Sequence, residues 1–370
     1  MRAIVIHRHG GPEVLTLEAT WPDPVAGPGE IVVQVKACAL NFLDIFTREG
    51  MPGEPTPLPH ITGGDIAGVV VQVGLPAEAD AAPVDRSHRD GPPRRQPPPG
   101  QPKVGDRVVL NPSWGCGTCE YCRDGEIPKC IRVHMLGEMD PGGLAEYVKA
   151  PAAQAIAIAD GYSYEEAACL PITFGTAWRM LLTHARVRPG EDVLVHGASG
   201  GVGLAAVQIA KLAGARVYAT GSSTAKLEKV KALGADVVID YVQDRDWDVT
   251  LRQLTGRRGL DVVVETVGAA TWERSIRALG KGGRLVTSGA TSGPVGATDI
   301  RYLFSARAHH PGVEWLDAQR PPDDHPARVR GAAPAGHRPR PPAGGDGRRR
   351  ASPRAASRRG QGGHPAVSAA

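Results

Sequence analysis

VLVHGASGGVGLAAVQIA, residues 193–210, decides how the rest of the chain is read. Val193, Leu194 and Val195 form a short apolar run suited to a buried parallel strand. Gly197, Gly200, Gly201 and Gly203 then make a tight turn, and small and apolar residues continue at helical spacing through Ile209. In such a turn the backbone can approach a pyrophosphate, and the N–H groups and dipole at the helix start attract its charge. Gly197, Ser199, Gly200, Gly201, Val202 and Gly203 are therefore expected to cradle phosphates. Ala198 stands where G-x-G-x-x-G would have its first glycine, so the turn alone is weak. Its context strengthens it: Arg216–Thr220 reads as a second strand and Lys226–Leu233 as another helix, which completes a βαβ unit.

Downstream, Asp261–Val264 and Arg284–Thr287 continue as strands around a helix at Thr271–Leu279, giving an α/β doubly wound parallel sheet over 159–305. Upstream, Ala3–Ile6, Val14–Glu18, Glu30–Ala37, Ile66–Val73, Lys103–Asn111 and Ala145–Lys149 alternate or run apolar between Gly and Pro. This predicts a β-rich domain over 1–158. From Ser163 the pattern turns helical, through EEAACL and GTAWRMLLTHA.

Within the β-rich region, Cys116, Cys119, Cys122 and Cys130 lie in GCGTCEYCRDGEIPKC. Four thiolates at this spacing complete a tetrahedral zinc shell over a lobe at 111–135, and leave no open position for substrate. One structural zinc per chain is expected. Cys38 and Cys169 have no partner pattern and read as buried free thiols.

Two segments dilute the core of this 370-residue chain, which is 41% hydrophobic and carries 33 prolines. Residues 75–102 hold almost no large apolar side chain after Leu75 and read as a disordered insertion. From residue 306 the chain becomes rich in Arg, Ala, Pro and Gly, the bias of GC-rich coding DNA read out of frame. We expect a disordered basic tail produced by a frameshift, the alternative being a genuine basic arm. Asp317–Ala370 holds eleven Arg against four Asp, so the net charge of +4 leaves −3 for the body, which does not suggest nucleic acid as a partner. The opening MRAIVIHRHGG lacks the apolar stretch of a signal peptide, and no run suits a membrane span. The expectation is a cytoplasmic protein.

A β-rich domain, a four-cysteine lobe and a dinucleotide domain, in that order, resemble the zinc-type medium-chain dehydrogenase/reductase family. The stretches GGPEVL, KACALNFLDIFTREG, GDRV, GCGTCEYC, LGE, GGLAEYV, HGASGGVG, KALGAD and GGRLVTSG carry the likeness, and ALNFLDIFTREG is most similar to the quinone-oxidoreductase branch. The resemblance implies a GroES-like first domain, a Rossmann second domain, and a homodimer or homotetramer. It also shows a departure. Where alcohol dehydrogenases of the family place three ligands for a catalytic zinc, this chain has Asn41, Gly64 (followed by Asp65) and Ile172. No catalytic zinc is expected. Hydride transfer to a quinone or an α,β-unsaturated carbonyl compound needs less help than reduction of an isolated ketone, because the charge spreads into an enolate. The resemblance places Asn41 and Thr176 beside the nicotinamide as candidate donors to that oxygen, with Asp44 orienting the loop. It extends the cofactor set to Val267, Gly268 and Gly289. Gly221 stands where NAD enzymes keep an acid, and Ser222, Ser223, Lys226 and Tyr241 match residues that contact a 2′-phosphate, so NADP(H) is the expected cofactor. The competing readings are an alcohol or aldehyde dehydrogenase, and a catalytically dead nucleotide-binding protein.

Overall fold

Two five-stranded sheets, one antiparallel and one parallel, organise the protein. The computed structural model describes residues 1–51, 56–74 and 100–306. The expected insertion, all but its last three residues, and the tail from 307 lie outside the described residues.

The chain opens with a β1 (Ala3–Ile6) and β2 (Leu15–Glu18) hairpin. β3 (Glu30–Ala39) leads into α1 (Phe42–Glu49), which returns to β4 (Asp65–Val73) and β5 (Arg107–Leu110). A small ribbon of β6 (Ser113–Trp114) and β7 (His134–Met135) brackets the cysteine lobe, whose one helical turn is α2 (Glu120–Arg123). β8 (Tyr147–Pro151) and β9 (Ala155–Ala157) complete an antiparallel sheet of order β8-β3-β4-β5-β9. Ile31, Val33, Ile66, Val70, Val108 and Leu110 fill its core, from strands whose apolar residues the sequence displays openly.

α3 (Tyr164–Ala168) and α4 (Pro171–Trp178) carry the chain across to the second sheet, and α4 runs on into a π-helical turn, Arg179–His184. There β10 (Asp192–Val195), α5 (Gly201–Leu212), β11 (Arg216–Gly221), α6 (Thr224–Ala232), β12 (Val237–Asp240), α7 (Trp247–Leu254), β13 (Leu260–Glu265), α8 (Trp272–Ala278) and β14 (Leu279–Thr287) alternate, and α9 (Ile300–Ala306) ends the described chain. The strands are parallel in the order β12-β11-β10-β13-β14. Because side chains alternate across a strand, Val193 and Val195 pack on the α5 side while Leu194 packs on the side of Trp247 and Ile276. The order reverses between β10 and β13, so a crevice opens beyond their carboxyl ends.

The strands and the glycine turn stand where the sequence places them. Four helices are not legible in the pattern: α1, the one-turn α2, α7 and α9. Cys169 corrects another expectation. It caps the short α3 and is exposed, because the chain must turn there before Pro171; Cys38 is half-buried. Among the described residues no helix is long and apolar enough to cross a membrane.

Candidate active site and zinc lobe

The phosphate turn is built from backbone. Gly197 sits at φ 57°, in the left-handed region that a side chain would strain. Gly200 is the N-cap of α5, and no side chain caps the helix. A Cβ on Gly203 would meet the carbonyl oxygen of Gly197 at 2.4 Å, so only glycine lets the helix close onto the turn. Gly201 is constrained from outside, since its Cβ would meet Cγ2 of Thr173 at 2.7 Å. That packing brings α4 against the start of α5. A cradle of this kind suits the pyrophosphate of a dinucleotide.

Helix α4 presents Thr176 to a cavity of about 550 Å³. Gly268 and Gly289 line the same cavity, with Phe46 from α1 and Trp272 from α8. Thr176 is buried, and its hydroxyl has no hydrogen-bond partner among the described residues. Asn41 and Asp44 do not line the cavity. They belong to a set of contacts centred on Asp65, a residue the sequence reading names after Gly64 without giving it a role. Asn41 donates through Nδ2 to Asp65 Oδ2 at 2.9 Å, and Asp65 Oδ1 accepts from the backbone N–H of Ile172 at 2.9 Å. Asp65 thereby caps α4, whose own N-cap residue, Leu170, offers no side-chain acceptor. Asp44 accepts from the N–H of Asn41 at 2.7 Å and from that of Gly63 at 2.9 Å, and so fixes the loop before α1. Burial raises the carboxyls of both acids, Asp65 to about 7.

Asn41, Gly64 and Ile172 converge around this carboxylate. A Cβ on Gly64 would meet Ile172 Cδ1 at 3.0 Å and the carbonyl oxygen of Leu136 at 3.0 Å. A larger residue at 64 would need both to give way.

At the other end of the crevice, Ser223 caps α6 by accepting from the N–H of Lys226 at 3.4 Å. Ser222 and Lys226 are exposed. Tyr241 lies one step beyond β12, and its N–H donates to the carbonyl of Gly221 at 3.1 Å, which joins the two strand ends. Lysine in the first turn of a helix opposes the dipole, a placement that an anionic ligand would favour. A Cβ on Gly221 would meet Leu227 Cδ2 at 2.9 Å. Packing therefore accounts for this glycine as well as any phosphate does.

In the lobe, the ligand atoms of Cys116, Cys119, Cys122 and Cys130 all lie within 4.8 Å of one another, the only such group among the described residues. Cys119 and Cys122 sulfurs are 3.5 Å apart, Cys119 and Cys130 3.8 Å, and Cys116 and Cys122 4.0 Å. A tetrahedron with Zn–S bonds of about 2.3 Å has edges of about 3.8 Å, close to these three separations, so the four thiols suit a zinc ion. Hydrogen bonds from Thr118 and from backbone N–H groups pull the Cys116 thiol down to about 5. The N–H groups of Cys116 and Arg132 both reach Cys130 Sγ, at 3.2 and 3.4 Å. Gly115 is obligatory here, since its Cβ would meet Cys122 Sγ at 2.5 Å.

Known proteins resemble this chain along most of its length. Residues 27–160 match an alcohol dehydrogenase GroES-like domain, and residues 201–319 a zinc-binding dehydrogenase domain. A quinone oxidoreductase of Lama guanicoe is 30% identical over 80% of this chain and 74% of its own length. A solved NAD-dependent alcohol dehydrogenase is similar at 42% identity with a TM-score of 0.76, covering 85% of each chain. A mycobacterial protein solved in complex with NADPH is 31% identical with a TM-score of 0.66, covering 85% of this chain and 82% of that one.

Proposed function

Given that this chain belongs to the zinc-type medium-chain dehydrogenase/reductase family, as a quinone-oxidoreductase-like oxidoreductase, we propose that it reduces quinones or α,β-unsaturated carbonyl compounds with NADPH and uses no catalytic zinc. The observation that carries this reading is the convergence of Asn41, Gly64 and Ile172 on Asp65, where relatives that use a catalytic zinc would keep their ligands. A glycine and an isoleucine offer no donor, and the asparagine is already committed to a carboxylate.

When bound, the nicotinamide supplies a hydride to the β-carbon, and a proton from water completes the two-electron reduction. The protein's part is to bind, orient and stabilise charge. The unpartnered hydroxyl of Thr176 is free to donate to the carbonyl oxygen as negative charge collects there. Asn41, outside the cavity, keeps a second Nδ2 hydrogen while Asp65 fixes its plane, and it starts α1, whose Phe46 lines the cavity. Gly268 and Gly289 shape the cavity wall. Gly197–Gly203 would hold the pyrophosphate, and Ser222, Ser223, Lys226 and Tyr241 the 2′-phosphate. The resemblance to the NADPH-bound mycobacterial protein supports that choice of cofactor, and association into a homodimer or homotetramer is part of the same proposal.

The second reading is an NAD-dependent alcohol dehydrogenase, favoured by the 42% identity to a structure so described. NADPH and NADH oxidation measured against enones, quinones and aldehydes separates the two. We expect turnover of the conjugated acceptors, and Thr176→Val should lower kcat by about 100-fold with the KM for NADPH unchanged. Dominant oxidation of simple alcohols with NAD would establish the second reading instead.

A further inference from the structure

The strand VVVE closes β13 with a charge inside an apolar run, and the carboxylate of Glu265 is fully buried. A buried carboxylate needs donors, and this one has four. Oε1 accepts from the N–H groups of Val267 at 2.7 Å and Gly268 at 3.1 Å. Oε2 accepts from the hydroxyls of Thr271 at 2.8 Å and Ser275 at 2.7 Å.

The chain of bonds continues, and its direction follows from counting protons. Ser275 has one O–H, which it gives to Glu265. Its oxygen therefore accepts from Nε2–H of His196, 3.0 Å away. Burial lowers the pKa of His196, which favours the neutral ring. Neutral and protonated on Nε2, the ring accepts at Nδ1, and the hydroxyl of Thr220 at 2.8 Å donates there. Every hydrogen in the row Thr220, His196, Ser275 points toward Glu265. Thr220 and His196 sit at the carboxyl ends of β11 and β10, next to the glycine turn, whose Ala198 N–H donates to the Thr220 carbonyl at 3.1 Å. Val267 and Gly268 follow β13, and Gly268 lines the cavity. The same turn is latched a second time, since the carbonyl of Val267 accepts from Ser292 N at 2.7 Å and Ser292 Oγ at 2.6 Å. Serine, histidine and glutamate together have the composition of a nucleophilic triad. The connectivity is wrong for one, because the acid takes the serine proton, and all three are buried away from any substrate.

We infer that Glu265 is a positioning residue for cofactor binding: by fixing the Val267–Gly268 turn, and being held itself by the Thr220–His196–Ser275 row, it sets the wall against which the nicotinamide half of the cofactor rests. This inference rests on the proposed nicotinamide chemistry. A glutamine at 265 keeps the volume but turns charge-assisted bonds into neutral ones of about half the strength.

Fluorescence titration of the full chain with NADPH, and calorimetric titration with adenosine 2′,5′-bisphosphate, which is its adenine half, provide the test. Glu265→Gln should weaken NADPH by about tenfold and leave the adenine half within about twofold. Ser275→Ala, which spares both backbone bonds, should show the same selectivity at about threefold and serves if the first variant does not fold. Equal losses for both ligands, or no loss for either, would overturn the inference and leave the function intact. An unmodified protein that binds neither NADPH nor NADH would bring down the function, and the inference with it. Nitrogen NMR of His196 gives a readout that needs no ligand. A neutral ring protonated on Nε2 is expected, and protonation on Nδ1 would reverse the row and refute it.

Discussion

The cysteine lobe and the Asn41–Asp65–Ile172 cluster occupy the two places where the family resemblance leads one to look for metal, and they differ in what their side chains ask for. In the lobe, four sulfurs stand at nearly tetrahedral distances, and backbone N–H groups already point at one of them. In the cluster, the donors that would face an ion are replaced by an amide, a bare Cα and a methyl-bearing side chain, and the nearby carboxylate is spent on holding Asn41 and α4. A metal site survives only as a complete set. Once the set is broken, the remaining charge is free to serve as scaffold.

The largest expected effect tests the lobe. Elemental analysis of protein prepared without chelator should give one zinc per chain. Cys119→Ser should lose it and expose the lobe to protease, because binding energy at such sites is folding energy. Brief chelation that leaves this ion in place should leave the turnover of enones unchanged. Two zincs per chain would erase the contrast between the sites.

A smaller effect tests the scaffold role of Asp65. Its carboxyl stands at about 7 against an ordinary 3.8, because it is buried. As pH rises, the unfolded chain therefore gives up this proton first. The stability due to the raised value is whole below about pH 4, drains away as pH climbs to about 7, and is gone above that. Asp65→Asn, neutral throughout, removes the decline. The melting temperature of the variant relative to the parent should climb between about pH 4 and 8, for a difference of up to about 4 kcal/mol. A constant difference would mean that the carboxylate is compensated by its two donors.

The smallest effect concerns the far end of the crevice. Gly221→Asp should weaken NADPH about tenfold by placing a carboxylate near the phosphate. Gly221→Ser meets the same Leu227 side chain without the charge, so the difference between the two variants isolates electrostatics from packing. If both lose affinity equally, Leu227 explains the glycine and the case for NADPH weakens.

What could be read in the sequence was local. The strand, turn and helix of 193–210 and the spacing of Cys116 to Cys130 each fall within one stretch, and each demands particular residues at short range. Asp65 is named in the sequence only as the neighbour of Gly64, because its meaning lies in a bond to Ile172, 107 residues away. Glu265 left a faint signal, a lone acid finishing VVVE; its own partners follow within ten residues, but the row behind Ser275 reaches back to His196 and Thr220. Helix α1 hid inside a stretch read only for its resemblance, although Asn41 and Asp44 have the spacing of a capping pair. Cys169 was misjudged because residue type predicts burial only on average, and a helix end beside a proline faces out.

The bond from Asp65 to Ile172 also has a mechanical meaning. Asp65 belongs to the first sheet, while Ile172 begins the helix that Gly201 and Thr173 seat against the dinucleotide fold. The bond is a rivet between the two halves, beside Asn41, which shares the same carboxylate, and one helical turn from Thr176. If the halves rock open to admit or release a ligand, displacement grows with distance from the rivet. The rim travels, and Asn41 and Thr176 stay nearly still.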